Sequence, residues 1–373
     1  MTAYDTLIPI NIVTGFLGSG KTTLLARLLK SPALRDTAVL VNEFGEVGLD
    51  HHLIEHAEES VLLMDSGCLC CAIRGDLQGA LKSLFSQRER GEIPAFRRVA
   101  IETSGLADPT PIAYTILAEP VLQHHFRLGN VVTVVDAVNG AAQLERHPES
   151  VKQAAIADRL VLTKTAMADD AGAAVRAAVR KINAAAPVLD LDAEPLDPDA
   201  LLTGDLYSAD GKRREIAGWL DGFAGAAGED GDGHDHSHGV GSFCLWFDGP
   251  MDWTAFGLWM SMLLNHHGER VLRVKGMLNV AGVADPVLIN GVQHIVHPPT
   301  HMTGWPDGDH RSRIVFIVQG MDRAEIEGSL AAFNRMAAHP PAILGPAGAG
   351  RAAPADRRPP HPFHSNAGLR FSR

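Results

Sequence analysis

Hydrophobic positions along this chain form short apolar runs, and most of them alternate with stretches of helical period. Six runs have the length and β-branched content of strands, at residues 7–13, 37–41, 60–64, 97–101, 131–135 and 158–165. Residues 22–29, 73–90 and 171–185 carry apolar side chains at helical spacing. Strands that alternate with helices are typical of a mostly parallel sheet covered on both faces. The pattern therefore predicts an α/β, doubly wound first domain.

The same pattern divides the chain into four segments. They are an α/β domain at residues 1–224, a linker at 225–241, a smaller α+β domain at 242–339 and a disordered tail at 340–373. The linker is predicted because its Gly, Ala and acidic residues cannot build a core. The tail is rich in Pro, Ala and Arg, which leads to the same expectation.

Three alternate histidines lie at the end of the predicted linker, at positions 234, 236 and 238. A tract of this kind can collect a divalent metal. It can equally be a polar linker in which the histidines are incidental. The sequence leaves both interpretations open for His234, His236 and His238.

Composition narrows the class of protein. Hydrophobic residues make up 46% of the 373 positions and charged residues 21%, which indicates a soluble globular protein of two domains. A formal net charge of −11 argues against a non-specific nucleic-acid binder, because such proteins need a basic face. No apolar run approaches the ~20 residues that span a bilayer. The expected location is the cytoplasm, where the four cysteines stay reduced.

The stretch GFLGSGKT at residues 15–22 follows the first predicted strand and precedes a helix. Two glycines five positions apart, followed by Lys and a hydroxyl residue, form the pattern of a phosphate-binding loop. In such a loop Lys21 reaches the outer phosphates and Thr22 ligates Mg²⁺, while backbone amides face the phosphate chain. An ordinary Gly-rich turn is the alternative, but it needs neither the Lys-Thr pair nor the fixed spacing.

Three of the four cysteines fall within four residues, at Cys68, Cys70 and Cys71. Thiolates suit Zn²⁺ and, with mixed partners, Co²⁺, and a two-residue gap is common in zinc sites. Three sulfurs leave one position for a carboxylate, a histidine or water, as expected of a site that exchanges its metal. A redox pair and buried packing residues are the alternatives.

Acidic residues follow two other predicted strands. Glu102 begins a stretch ETSGLADP that resembles the region where nucleotide hydrolases sense the γ-phosphate and organise Mg²⁺ or water. Residues 42–50 are rich in acids and glycine, and can be either a nucleotide-responsive loop or a solvated surface loop. Asp136 ends a further strand, where it can cap the following helix.

Taken together, these motifs resemble the CobW-like family of metal-chaperone P-loop GTPases, relatives of the nickel-insertion GTPases of urease and hydrogenase. The resemblance rests on five stretches: TGFLGSGKTT at 14–23, NEFGE at 42–46, GCLCC at 67–71, ETSGLADP at 102–109 and RVKG at 273–276. The resemblance covers nearly the whole chain, and GCLCC is its most specific part. It implies a P-loop NTPase sheet followed by a CobW C-terminal-type domain.

The family also implies roles for individual residues. Nucleotide contacts are expected from Gly15, Gly18, Ser19, Gly20, Lys21, Thr22, Thr23, Gly105, Thr163 and Lys164. Lys21 and Glu102 are the expected catalytic residues, with Mg²⁺ on Thr22. A transition metal, Zn²⁺ or Co²⁺, is expected on Cys68, Cys70 and Cys71, with Glu46 as an extra ligand.

The resemblance further implies hydrolysis of GTP coupled to metal delivery. The expected partners are a client metalloprotein or a cobalt-inserting complex, with no nucleic acid and no membrane, and homo-oligomers are compatible with it. A P-loop kinase or ATP-dependent ligase with structural cysteines is one rival. The other is a metal buffer or sensor that does not turn over.

One position departs from the family pattern. Family members usually carry Asn/Thr-Lys-x-Asp, whose Asp accepts hydrogen bonds from guanine, but this chain has Ala166 at the Asp position. Guanine selection is therefore in question, and a shifted Asp169 or Asp170 is the candidate substitute.

Overall fold

The computed structural model describes residues 6–41, 61–63, 73–193, 197–204, 216, 218–219, 237–334 and 342–344. The predicted loop 42–50 with Glu46, the three clustered cysteines, and His234 and His236 lie outside these residues. Of the linker histidines only His238 is described, and it is exposed.

In its described residues, the N-terminal domain is built on seven parallel strands. They are β1 (Ile8–Thr14), β2 (Thr37–Val41), β3 (Val61–Leu63), β4 (Arg98–Glu102), β5 (Phe126–Asp136), β6 (Arg159–Thr163) and β7 (Val188–Asp190). Their order in the sheet is β3-β2-β4-β1-β5-β6-β7. All the neighbouring pairs run parallel, which confirms the predicted doubly wound α/β sheet.

Helices cover the sheet on its two faces. They are α1 (Lys21–Leu29), α2 (Ile73–Glu89), α3 (Thr110–Ala118), α4 (Pro120–Gln123), α5 (Gly140–Arg146), α6 (Pro148–Ala155) and α7 (Ala173–Ile182). On one face, buried leucines of α1 such as Leu24 and Leu28 pack with Val13 and Val161 of the sheet. The leucine spacing that predicted α1 therefore forms its buried side.

The C-terminal domain, as far as residues 240–334 and 342–344 describe it, is an antiparallel sheet with two helices. Its elements are β8 (Val240–Asp248), α8 (Trp253–His267), β9 (Val271–Leu278), β10 (Val287–Val292), β11 (Ile295–Val296), β12 (Thr300–His301), β13 (Ser312–Gln319), α9 (Arg323–Asn334) and β14 (Ala342–Leu344). The strand order is β11-β10-β9-β13-β8-β14, with β12 paired to β10. Trp259 and Phe316 are buried in the cluster between the helices and this sheet.

Two boundaries differ from the sequence expectation. β8 begins at Val240, inside the predicted linker, because Val240 pairs with Gln319 of β13. β14 lies inside the predicted disordered tail and pairs with β8 from Ala342 to Leu344. Pairing with a distant strand decides both cases, and composition alone does not reveal such a partner.

The two domains share a buried ionic contact. The Asp158 carboxylate, just before β6, accepts hydrogen bonds from Arg273 of β9 and from the Val131 amide, and Lys275 lies 3.1 Å away. Burial would raise the pKa of Asp158, but the charges of Arg273 and Lys275 outweigh it and hold the pKa well below the usual range. Arg273 also donates to the Ile156 carbonyl at 3.0 Å, so β9 is tied to the end of α6.

Among the helices of the described segments, none is both long and apolar enough to cross a membrane.

Candidate phosphate-binding site

The loop between β1 and α1 has the backbone that the glycine spacing predicts. Gly15 has φ 142°, and a side chain there would place its Cβ 2.2 Å from the Val134 carbonyl oxygen. Gly20 precedes α1 and caps it without a side-chain hydrogen bond. The first amides of α1 therefore face the loop as donors, as in other anion sites at helix N-termini.

Lys21 lies within this loop. Its ammonium group donates to the Gly15 carbonyl at 2.9 Å and to the Phe16 carbonyl at 3.2 Å. The residue is 9% exposed, so its charge is held at the loop and away from bulk water. A cation held by loop carbonyls, next to the amides at the start of α1, is suited to a phosphate chain.

Thr22 and Glu102 meet beside Lys21. The Thr22 hydroxyl donates to the Glu102 carboxylate at 2.5 Å, and Glu102 is buried at the carboxyl end of β4. Strands β1 and β4 are neighbours, with Val13 opposite Glu102, and this register brings the two motifs together. A hydroxyl and a carboxylate are the hard oxygen donors that Mg²⁺ prefers, so these residues fit that ion.

The loop after β4 lies directly against the phosphate loop. The Thr103 amide donates to the Val13 carbonyl at 3.0 Å, and the Thr103 hydroxyl donates to Thr14 at 2.8 Å. At Gly105 an added Cβ would come within 2.6 Å of the Leu17 backbone nitrogen. Gly105 is therefore required for this close approach.

A buried glutamine of α6 holds the same loop. The Gln153 amide nitrogen donates to the Gly105 carbonyl at 3.2 Å and to the Ala107 carbonyl at 3.0 Å. Sequence analysis missed Gln153, because it lies in a short helix and belongs to no motif. Two acceptors on the neighbouring loop are visible only in three dimensions.

The end of β6 closes the other side of the phosphate loop. The Thr163 hydroxyl donates to the Ser19 carbonyl at 2.7 Å, and the Lys164 ammonium donates to the Gly18 carbonyl at 2.8 Å. Lys164 also donates to the Asp136 carboxylate at 2.6 Å. Thr163 and Lys164 thus lie beside the loop, as expected of nucleotide-binding residues.

The Asp136 carboxylate binds both backbone amides and Lys164 at this edge of the sheet. Its carboxylate accepts from the amides of Val138 and Asn139 and from Lys164. The two amides belong to the turn before α5, whose N-cap is Asn139, so Asp136 does not cap that helix as the sequence suggested. Burial would raise the pKa of Asp136, but the hydrogen bonds from Lys164 and Asn139 bring the pKa below its usual range. The carboxylate therefore stays charged and fixes Lys164 over the loop.

The loop after Lys164 has Ala166 exposed where the family pattern has a carboxylate. Asp170 is engaged elsewhere, because it accepts from the amides of Gly172 at 2.9 Å and Ala174 at 2.7 Å at the start of α7. These backbone hydrogen bonds, chiefly that from Ala174, lower the pKa of Asp170. Asp170 is thus a helix-capping residue in this structure.

Comparison with known proteins decides the family. Residues 9–190 match the CobW/HypB/UreG nucleotide-binding domain, and residues 240–334 match the cobalamin synthesis protein cobW C-terminal domain. The zinc chaperone YjiA of Escherichia coli (strain K12) is 32% identical over 330 residues, which are 88% of this chain and 99% of YjiA. The chain belongs to the CobW/HypB/UreG family.

Other members of the CobW/HypB/UreG family give the same assignment. The zinc chaperone CobW of a Sinorhizobium species is 28% identical over 356 residues, covering 87% of this chain and 97% of that protein. The crystal structure of Zn(II)-bound YjiA GTPase from E. coli superposes with a TM-score of 0.64 at 27% identity, covering 88% of this chain and 99% of that one. The family fold thus extends through both domains.

The structure brings all ten predicted nucleotide residues of this CobW/HypB/UreG member, and the predicted catalytic residue Glu102, to one edge of the sheet. They are Gly15, Gly18, Ser19, Gly20, Lys21, Thr22, Thr23, Glu102, Gly105, Thr163 and Lys164. The predicted metal residues Cys68, Cys70, Cys71 and Glu46 lie outside the described residues.

Proposed function

We propose that this chain is a GTP-hydrolysing metallochaperone. It binds a transition metal, zinc or cobalt, through Cys68, Cys70 and Cys71, and delivers it to a client metalloprotein or cofactor pathway. The observation that carries the proposal is the meeting of Thr22 and Glu102 beside Lys21 in the phosphate loop. The names of the relatives, zinc chaperones and zinc-regulated GTPases, support the choice of metal and nucleotide.

The nucleotide roles follow from the contacts of each side chain. Lys21 and the amides before α1 bind the phosphates, and Gly105 lies close enough to the phosphate loop to contact the terminal phosphate. Thr22 and Glu102 would hold Mg²⁺, and the ion would supply positive charge against the charge that develops on the phosphates. Glu102 also orients the attacking water, as a buried carboxylate at this position can accept its proton.

Topology supports a metal site near the nucleotide. The predicted metal segment begins after β3 and the acidic loop after β2, and both strands end at the same edge as β1. Because adjacent strands lie about 4.8 Å apart, the end of β3 is only about 14 Å from the end of β1. Loops at the carboxyl ends of parallel strands are where ligands bind in such sheets.

Hydrolysis and metal release are linked through the free energies of the two sites. GTP stabilises one arrangement of the loop 42–50 and the cysteine segment, in which the metal is bound tightly, and hydrolysis removes that preference. Shifting a two-state site from ~1% to ~99% of one conformation takes about 5.5 kcal/mol of differential binding. Thiolate ligation also releases protons, so metal binding weakens as pH falls.

Metal analysis of protein equilibrated with GTP, GDP or no nucleotide, under reducing conditions, tests the proposal. The expected result is tighter binding of one metal in the GTP state, with phosphate released to water. Equal affinity in all three states would instead favour a metal buffer. Phosphate transferred to an organic acceptor would favour a kinase or ligase.

Two variants locate the sites. Cys70→Ser with Cys71→Ser should weaken metal binding by orders of magnitude, and unchanged affinity would move the site to the histidine tract. Lys21→Ala should abolish hydrolysis while some metal binding persists. Cys244→Ala is the matched control, because burial raises the pKa of the Cys244 thiol to about 12 and keeps it protonated, which prevents it from acting as a thiolate ligand.

A further inference from the structure

Helix α6 touches the loop after β4 through one buried amide. Gln153 is 1% exposed and donates to the carbonyl oxygens of Gly105 and Ala107 with the same nitrogen. Since both neighbours are acceptors, the amide nitrogen must face them, and the orientation of the side chain is fixed by chemistry. Its carbonyl oxygen, Oε1, is buried, and no donor among the described residues reaches it.

A buried amide oxygen without a partner is costly, so the position needs a compensating gain. A methionine or leucine would pack in the same space without that cost. The gain in this structure is the pair of hydrogen bonds to the loop 103–107. Packing alone therefore does not account for a glutamine at position 153.

The loop that Gln153 holds lies between two groups of the candidate site. It begins directly after Glu102, and at Gly105 it comes so close to Leu17 that an added Cβ would lie 2.6 Å from the Leu17 nitrogen. A shift of Gly105 by an ångström would therefore open or close the space between this loop and the phosphate loop. Anything that fixes the Gly105 carbonyl also fixes this spacing.

The C-terminal end of α6, close to Gln153, is held by the C-terminal domain. Arg273 of β9 donates to the Ile156 carbonyl at 3.0 Å, and the same guanidinium is paired with Asp158. Ile156 lies three residues after Gln153, less than one helical turn away. Gln153 thus projects from a helix whose end is anchored, and it can hold the loop in one place.

We propose that Gln153 is a positioning residue that holds the loop 103–107 at the distance from the phosphate loop that recognises the third phosphate of the nucleotide. It acts through the Gly105 and Ala107 carbonyls and does not touch the nucleotide. The inference rests on the proposed hydrolysis of GTP. It adds a residue, and a structural link that runs from the C-terminal domain through the end of α6 to the loop 103–107.

The test compares Gln153→Met with the wild-type chain. Met retains the length and volume of the side chain but removes both donated hydrogen bonds. The affinities for GDP and for a non-hydrolysable GTP analogue are measured with Mg²⁺ by calorimetry, together with kcat and the melting temperature. We expect GDP affinity to stay within about twofold, while the preference for the triphosphate and kcat each fall about tenfold, which corresponds to ~1.4 kcal/mol.

Asn130→Leu is the matched control. Asn130 is a buried amide that donates to two backbone carbonyls, those of Leu201 and Gly204, away from the loop. The Asn130→Leu variant should have a melting temperature lowered as much as that of Gln153→Met, and its triphosphate preference should be unchanged. A loss of preference in both variants would show a general effect of destabilisation and overturn the proposal.

Gln153→Asn keeps an amide but shortens its reach by one methylene, and it is the second variant if Gln153→Met does not fold. It should lower the triphosphate preference in the same direction. If either variant folds and keeps the triphosphate preference and the kcat of the wild-type chain, the proposed role of Gln153 is overturned. Absence of hydrolysis by the wild-type chain would instead reject the proposed function, so the two failures are distinguishable.

Discussion

The Thr22 hydroxyl donates a 2.5 Å hydrogen bond to the carboxylate of Glu102, although 80 positions separate the two residues in the sequence. The contact exists because β1 and β4 are parallel neighbours in register from Ile10 opposite Val99 to Val13 opposite Glu102. The residue after the phosphate-loop lysine and the acid that ends β4 therefore converge on one point. Their oxygens provide the hard donors that the proposed Mg²⁺ needs.

Replacing Glu102 by Gln should lower kcat for GTP hydrolysis by about 100-fold, because a positioned carboxylate that takes a proton contributes ~10²–10⁴ to rate. Gln keeps the shape of the side chain and can still accept from Thr22, so nucleotide affinity should change only a few-fold. Steady-state phosphate release and calorimetry measure the two quantities. Glu119→Gln is the control, since Glu119 caps α4 and pairs with Lys82. An unchanged kcat in Glu102→Gln would show that Glu102 takes no part in the hydrolysis.

Gly105→Ala should weaken binding of the GTP analogue about tenfold or more, while GDP binding changes less. The added Cβ would lie 2.6 Å from the Leu17 nitrogen, and relieving such overpacking typically costs ~1–3 kcal/mol. The loop must then move away from the phosphate loop. Competition binding with a fluorescent nucleotide measures both affinities.

Gly79→Ala is the matched glycine control. Position 79 lies in α2, and an added Cβ meets nothing within 4 Å. Alanine is a better helix former than glycine by about 1 kcal/mol, so this variant should be slightly more stable with unchanged nucleotide binding. Equal effects of the two substitutions would contradict the close approach at Gly105.

The sequence predicted the elements that have a local signature. The strand before the phosphate loop, helix α1 and the acid at the end of β4 each combine a hydrophobic run with a motif, and the structure has all three. The bounds of α5 and α6 were not predicted, because the two helices have only seven and eight residues and only His147 separates them. Short helices have too few turns for a hydrophobic period to be recognised.

Contacts between distant elements could not be predicted from the sequence. Gln153 and Asp158 have no motif, and their roles depend on which carbonyl or guanidinium lies opposite them in the fold. The stretch RVKG at 273–276 was recognised as a family element, but the role of its two cations could not be predicted. Arg273 and Lys275 act together because alternate residues of β9 face the same side of the sheet. The structure shows that this side meets the end of α6.

Ala166→Asp should create a preference for GTP over ATP. In the wild-type chain the two affinities should lie within about tenfold of each other, because Ala166 offers no acceptor and Asp170 caps α7. Hydrogen bonds to a charged group contribute ~1.5–3 kcal/mol each, so the variant should favour GTP by at least tenfold. Calorimetry with GTP, ATP and ITP measures this, and ITP should lose part of the gain because it lacks the 2-amino group.

The control for this experiment is Asp169→Asn. If the wild-type chain already prefers GTP strongly and Asp169→Asn abolishes the preference, then Asp169 reads the base and the prediction for Ala166 is wrong. If both the wild-type chain and Asp169→Asn bind GTP and ATP alike, the site binds purine nucleotides without selecting the base.

His297 should make the stability of the protein depend on pH. The side chain is 3% exposed, and burial together with the charge of Arg273 lowers the pKa of His297 to about 3. In the unfolded chain its pKa is about 6.5. Between these values the unfolded state binds more protons than the folded state, so stability falls as pH falls. The unfolded histidine is half protonated at pH 6.5 and almost fully protonated at pH 5, so the loss of stability between these values is about 1.6 kcal/mol.

His297→Leu should remove this dependence and leave the stability near pH 7.5 close to that of the wild-type chain, because neither ring nitrogen has a hydrogen-bond partner to lose within the part of the chain that the structure describes. Urea unfolding at pH 7.5, 6.5 and 5 measures the two slopes. Asp158 does not affect this comparison. Its pKa is lowered in the folded state, so the stability that it contributes is lost only below the pKa of ~3.9 that an Asp has in the unfolded chain. Parallel slopes in the two proteins would show that His297 is protonated or hydrated in the folded state.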